Sequence, residues 1–167
     1  VGGLPVVLQL HLMRFSYDWE TGNMDKLNCR FIFPKELDLS TVCNDAADEK
    51  DTSRVMYELQ SVLIHVGGYE SGHYYSYVRP DIRRNLWYRY DDDRVTQVSF
   101  KDVREDAFGG KKRKRSVDET GERRVGFWGR LLQSNGGGGG GFGYGGQRSS
   151  AYMLQYVRKS DIPMLYD

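Results

Sequence analysis

The sequence predicts an α+β domain built mainly as an antiparallel β-sheet. Short segments rich in β-branched and aromatic residues alternate with turn-forming residues along most of the chain. One segment, Ser99–Phe108, carries helix signals at both ends. Two aromatic segments, His73–Val78 and Leu86–Asp91, flank a Pro-containing turn and read as a hairpin.

Taken in order, Leu4–Phe15 (LPVVLQLHLMRF) alternates Val6, Leu8, Leu10 and Leu12 with Val7, Gln9, His11 and Met13. Both faces are largely apolar, which predicts a central strand, with His11 a core or semi-buried histidine. Ser16–Asn23 supplies turn residues, and Leu27–Phe33 (LNCRFIF) is a second extended segment closed by Pro34. Leu37–Leu39 is a short third. Asn44–Ser53 is an acidic surface loop. Arg54–Val66 is long and β-rich, and Gly67–Gly72 (GGYESG) follows as a loop. His73–Val78, Leu86–Tyr90 and Arg94–Val98 are extended, with Arg79–Asn85 as a turn. Ser99 is a good N-cap, Asp102 sits three residues on in capping-box style, and Gly109 ends the helix. Ala151–Arg158 is the last strand. The stripe Tyr75, Tyr77, Trp87, Tyr88 and Tyr90 reads as sheet packing.

The segment Lys111–Ser150 differs from the rest. It opens on KKRKR and contains six consecutive glycines, Gly136–Gly141. It carries a formal charge of +6 in a chain whose net charge is +1, so the remainder is mildly acidic. Such composition predicts a disordered insertion at 111–150, separating a body at 1–110 from a closing strand and tail at 151–167. KKRKR suits nuclear import or a nucleic-acid patch, and a merely tolerated solvated run accounts for it equally. No run of about 18 apolar residues exists, which excludes a transmembrane helix and predicts no membrane partner. Val1–Leu10 has neither a basic n-region nor a cleavage site. With two cysteines, Cys29 and Cys43, there is no disulfide framework and no zinc spacing, and a reducing compartment is expected. The chain starts on Val1 rather than Met and reads as a piece of a longer protein.

A hairpin centred near Ile82 opposes Tyr77 to Trp87, Tyr75 to Arg89 and His73 to Asp91. Directly opposed Cβ atoms lie about 4.5–5.5 Å apart, within reach of a hydrogen bond between imidazole and carboxylate. A His held by an Asp is the base half of a nucleophilic hydrolase. Gly67, Gly68 and Gly72 leave space beside the His for a substrate backbone. On spacing alone, a surface His salt-bridged across a hairpin is the favoured reading.

GYESGHYYSYV (Gly68–Val78) followed by LWYRYDDDRVTQV (Leu86–Val98) resembles the histidine box of the ubiquitin-specific proteases, the papain-like cysteine deubiquitinases. LPVVLQLHLMRFSYD, RFIFP and SSAYMLQYVRKS resemble further segments of that family, in the same order. The resemblance implies a partial papain-like cysteine-protease fold, acting in thiol-dependent hydrolysis of the bond to ubiquitin's C-terminal Gly. It implies that His73 is the general base, Asp91 the carboxylate orienting it, and Asp92 an adjacent acid in polar support. It implies that Phe15, His65, Gly68, Gly72 and Tyr74 line the channel for ubiquitin's Gly-Gly tail. No metal or cofactor is implied. Ubiquitin and ubiquitinated proteins would be the partners, in nucleus and cytoplasm. The family's Asn-rich cysteine box does not occur in this sequence. Cys29 sits in an extended segment without the helix N-terminus that activates a thiol, and Cys43 lies in a polar loop. The expectation is therefore the C-terminal part of a deubiquitinase catalytic domain, with base and acid but no nucleophile. A catalytically inactive ubiquitin-binding module, or a nucleic-acid-binding protein acting through the insertion, are the other readings.

Overall fold

Nine strands and two short helices make up a computed structural model that describes residues 4–42, 55–110 and 149–166. Residues 111–148, with the basic and Gly-rich run, and the acidic loop with Cys43 lie outside the described residues. The strands are β1 (Val7–His11), β2 (Phe15–Tyr17), β3 (Met24–Lys26), β4 (Glu36–Asp38), β5 (Met56–Gly67), β6 (Gly72–Val78), β7 (Trp87–Asp91), β8 (Arg94–Val98) and β9 (Ser150–Arg158). The helices are α1 (Phe100–Ala107) and α2 (Ile162–Leu165). The main sheet runs β1-β9-β5-β6-β7-β8, with β4 also on β5, and every pairing is antiparallel. The predicted fold class is the observed one.

β5 organises the sheet. Its twelve residues alternate buried and half-buried positions and pair β4 and then β6 on one edge and β9 on the other. Tyr57, Leu59, Val62 and Ile64 form a core with Tyr75 and Tyr77 of β6, Trp87 of β7, Val103 and Ala107 of α1, and Leu154 and Tyr156 of β9. Each fully buried aliphatic or aromatic side chain of this kind is worth about 1.5–3 kcal/mol of transfer free energy. α1 forms as the sequence indicates. Ser99 Oγ accepts from the Asp102 N–H, and the Asp102 carboxylate accepts from the Ser99 N–H, at 3.3 and 3.1 Å. Gly109 and Gly110 then leave the helix at φ of +67° and +78°, where a side chain would be strained.

Two bulges interrupt the β5–β9 ladder. Leu59 pairs with Tyr156 but Ser61 with Gln155, and Leu63 pairs with Met153 but Ile64 with Ala151. The second shift leaves Tyr152 as the extra residue on β9, and a bulge re-aims the side chain it carries.

Three expectations need correction. Leu4–Phe15 is two strands rather than one, and among the described residues β1 ends the sheet, pairing with β9 alone. Its apolar outer positions do not demand cover: Val7 is exposed, as is His11, while Leu8 and Leu10 pack inward. The break comes where Arg14 turns inward. It is 4% exposed and donates to the carbonyls of Ala151, Leu27 and Cys29 at 3.0, 3.3 and 2.9 Å. Leu27–Phe33 forms no strand, because its backbone bonds go to the end of α1. Phe31 N–H donates to Phe108 O, and Gly110 N–H to Asn28 O. Finally, the closing strand starts at Ser150 and so takes one residue assigned to the insertion.

Candidate active site and substrate channel

β6 and β7 pair with Ser76 opposite Tyr90, Tyr77 opposite Arg89 and Val78 opposite Tyr88. The expected register is therefore off by two, and Tyr77 does not face Trp87. A one-residue slip would have moved every side chain to the other face, but a two-residue slip preserves the face. His73 and Asp91 accordingly meet on a diagonal beyond the end of the ladder, with His73 Nε2 2.5 Å from Asp91 Oδ1. The neutral tautomer that donates Nε2–H to a carboxylate leaves its lone pair on the other ring nitrogen, Nδ1. The imidazole remains 41% exposed and Asp91 23%. A base needs such access to a partner.

Asp91 is held from its second oxygen as well. Arg89 Nη2 lies 2.6 Å from Asp91 Oδ2, and the guanidinium sits over the Tyr75 ring at 4.1 Å. Asp92, at φ +50° in the β7–β8 turn, is exposed beside them. The ligand atoms of His73, Asp91 and Asp92 lie within 4.8 Å of one another, so these are the described residues whose placement could hold a metal ion. Beneath the pair, Asp106 of α1 is 5% exposed and accepts from the hydroxyls of Tyr75, Tyr77 and Ser149. Burial, and then the Asp106 charge, push both tyrosine hydroxyls far above the ordinary phenol value.

The expected channel residues gather on the other face of β6, since adjacent strand positions alternate. His65 and Tyr74 are directly opposed, with ring centroids 4.7 Å apart. Phe15 meets the His65 ring edge-on at 5.5 Å, and Tyr152, aimed by its bulge, touches Phe15, His65 and Tyr74. His65 is 3% exposed, and its Nδ1 has no hydrogen-bond partner among the described residues. Burial first, and then the Lys26 charge, push its pKa down to about 4, so the ring is neutral at physiological pH. Lys26 donates to the His65 carbonyl at 2.8 Å, and burial with nearby Arg14 pushes its pKa down to about 8.

The glycines act differently from the expectation of open space. A Cβ on Gly72 would run into the His65 ring, so that space is already filled by an imidazole. Gly67, at φ +110°, would press a Cβ on the Ser71 carbonyl. Gly68 is open, and lines a cleft of about 540 Å³ between the β2–β3 turn and the loop before His73, with Tyr17, Asn23, Asp25, Tyr69 and Glu70. Tyr152 and Lys26 escaped sequence reasoning. Tyr152 owes its direction to a bulge, and Lys26 to a hairpin that the sequence showed only as a turn. Cys29 is exposed, outside any helix start, with Sγ 3.7 Å from Arg14 Nη1.

A family model described as "Ubiquitin carboxyl-terminal hydrolase" matches residues 1–156. The chain is 38% identical over 159 residues to "Ubiquitin C-terminal hydrolase 12" of Arabidopsis thaliana, an alignment covering 94% of this chain and 13% of that protein. It is 38% identical to "Ubiquitin carboxyl-terminal hydrolase 15" of Schizosaccharomyces pombe, covering 95% of this chain and 12% of the relative. It is 34% identical to "Ubiquitin carboxyl-terminal hydrolase 9X" of Mus musculus, covering 64% and 5%. The chain thus spans about an eighth of the length of the first two relatives.

Proposed function

Because this chain belongs to the ubiquitin carboxyl-terminal hydrolase family, we propose that it carries the acid–base half of a thiol-dependent deubiquitinase. The observation carrying this reading is the 2.5 Å contact between His73 and Asp91 at the end of a loop that borders a cleft. In the proposed cycle His73 takes the proton of a cysteine thiol through the ring nitrogen that Asp91 does not hold. The thiolate attacks the carbonyl of ubiquitin's last Gly, and His73 returns the proton to the leaving lysine amine. Water, giving a proton to His73, then cleaves the thioester, releasing ubiquitin's carboxylate and restoring the thiol. Asp91 fixes the tautomer and stabilises the imidazolium, and Asp92 adds polar support. The chemistry calls for no metal or cofactor.

Phe15, His65, Gly68, Gly72 and Tyr74 are the proposed channel for the Gly-Gly tail, and the rings packed around His65 support this assignment. A channel walled by packed rings passes residues without side chains and rejects ordinary peptides. Ubiquitin and ubiquitinated proteins are the proposed partners. Nucleus and cytoplasm are the proposed compartments, and alanine at Lys111–Arg115 in a fluorescent fusion should reduce the nuclear signal; an unchanged signal would reject import through that run.

Titrating ubiquitin into the ¹⁵N-labelled chain tests the reading. Amide signals of Phe15, His65 and Tyr74 should shift with intact ubiquitin and stay still with ubiquitin lacking its last two glycines. Equal responses to both, or none to either, would reject the channel assignment.

A further inference from the structure

We infer that Arg89 is a positioning residue that sets the orientation of Asp91 toward His73. This deepens the reading of His73 as a base and rests on it. Arg89 and Asp91 are two positions apart on β7, so their side chains leave the same face. The guanidinium takes Asp91 Oδ2 at 2.6 Å, which turns Oδ1 to the imidazole at 2.5 Å. The β6–β7 pairing alone does not aim the carboxylate, because His73 and Asp91 lie past the last residues that pair between these two strands and pair outward instead, His73 with Val66 and Asp91 with Arg94. The β7–β8 turn follows Asp91 directly, and the carboxylate is partly open to water.

Arg89 is itself placed. Its side chain is 12% exposed and lies on the face of Tyr75 at 4.1 Å. Planar stacking of guanidinium on a ring suits Arg and not Lys. The ring cannot swing, since the Tyr75 hydroxyl donates to Asp106, which also holds Tyr77 and Ser149. The order of support therefore runs from the buried α1 carboxylate through Tyr75 and Arg89 to Asp91, and only then to the base. The pairing separates two duties for one carboxylate: Oδ2 is committed to the scaffold and Oδ1 to the imidazole.

The test reads the imidazole N–H shared with Asp91, by proton NMR of the ¹⁵N-histidine-labelled chain. Asp91→Ala, which removes the acceptor, identifies its low-field signal by losing it. In Arg89→Met, which keeps a stem on Tyr75 but no cation, solvent exchange of that proton should be clearly faster than in the unaltered chain. Arg89→Lys, with charge but no planar fork, should give an intermediate rate. Wild-type exchange in folded Arg89→Met overturns the inference. Should that variant fail to fold, wild-type exchange in Arg89→Lys overturns it instead. A purely structural role would lower the unfolding midpoint and leave the exchange rate in the folded state unmoved. The readout needs no thiol and no ubiquitin, so it fails or succeeds separately from the deubiquitinase reading.

Discussion

Gly72 and His65 are a matched pair. The ring lies where a Cβ would stand, so Gly72→Ala must displace a buried imidazole or the backbone of β6. Overpacking of this kind costs about 1–3 kcal/mol, read as a lower urea midpoint. An unchanged midpoint would mean that the ring moves away without cost. His65 also sets a pH dependence. Its folded pKa of about 4 lies below the ordinary histidine value of 6.5. Between those values the unfolded chain holds a proton that the folded state refuses, so stability falls as pH drops from about 6.5 toward 4. His65→Gln removes this slope; an identical pH–stability curve for the variant would show that the ring is not held neutral.

At the scale of elements, α1 and β6 are joined by one carboxylate. Asp106→Ala leaves the Tyr75, Tyr77 and Ser149 hydroxyls without their acceptor in the core, at about 1–3 kcal/mol for each buried group left unsatisfied. Thermal unfolding should shift far more for this variant than for Ser99→Ala, which removes an exposed cap worth about 1 kcal/mol. Comparable shifts would contradict a buried anchor. Most elements were legible because their signals are local. Ser99, Asp102 and Gly109 mark α1 by capping chemistry alone, and the aromatic composition of His73–Val78 marks β6. What escaped was set by distant partners. Arg14 splits the first apolar run through carbonyls as remote as Ala151, and the Leu27–Phe33 backbone is satisfied by the end of α1. The register of β6 on β7 depends on the conformation of the connecting turn, which includes Asn85 at φ +53°. The His73–Asp91 contact survived the two-residue error because only the parity of the register decides the face.

For the whole molecule, the described residues on either side of 111–148 come back together. A Cβ on Gly109 would lie 3.2 Å from the Ser150 Cβ. Adjacent ends are the geometry at which insertions are tolerated. Replacing residues 111–148 with a short Gly/Ser linker should leave the fold intact and raise stability by at most about 2 kcal/mol, through a smaller loop-closure cost. A large loss of stability would show that the run contributes to the core. The sheet also leaves β1 paired on one edge only among the described residues.

The central claim is that the His73–Asp91 pair does acid–base work on the bond at ubiquitin's C-terminus. Its most direct test is release of a fluorogenic amine from the ubiquitin C-terminus by the hydrolase domain that contains this chain, with Asp91→Asn against the unaltered protein. The account predicts that kcat falls by roughly 10²-fold or more while KM changes little, as for loss of a base held in the right tautomer. An Asp91→Asn protein with undiminished kcat would contradict it.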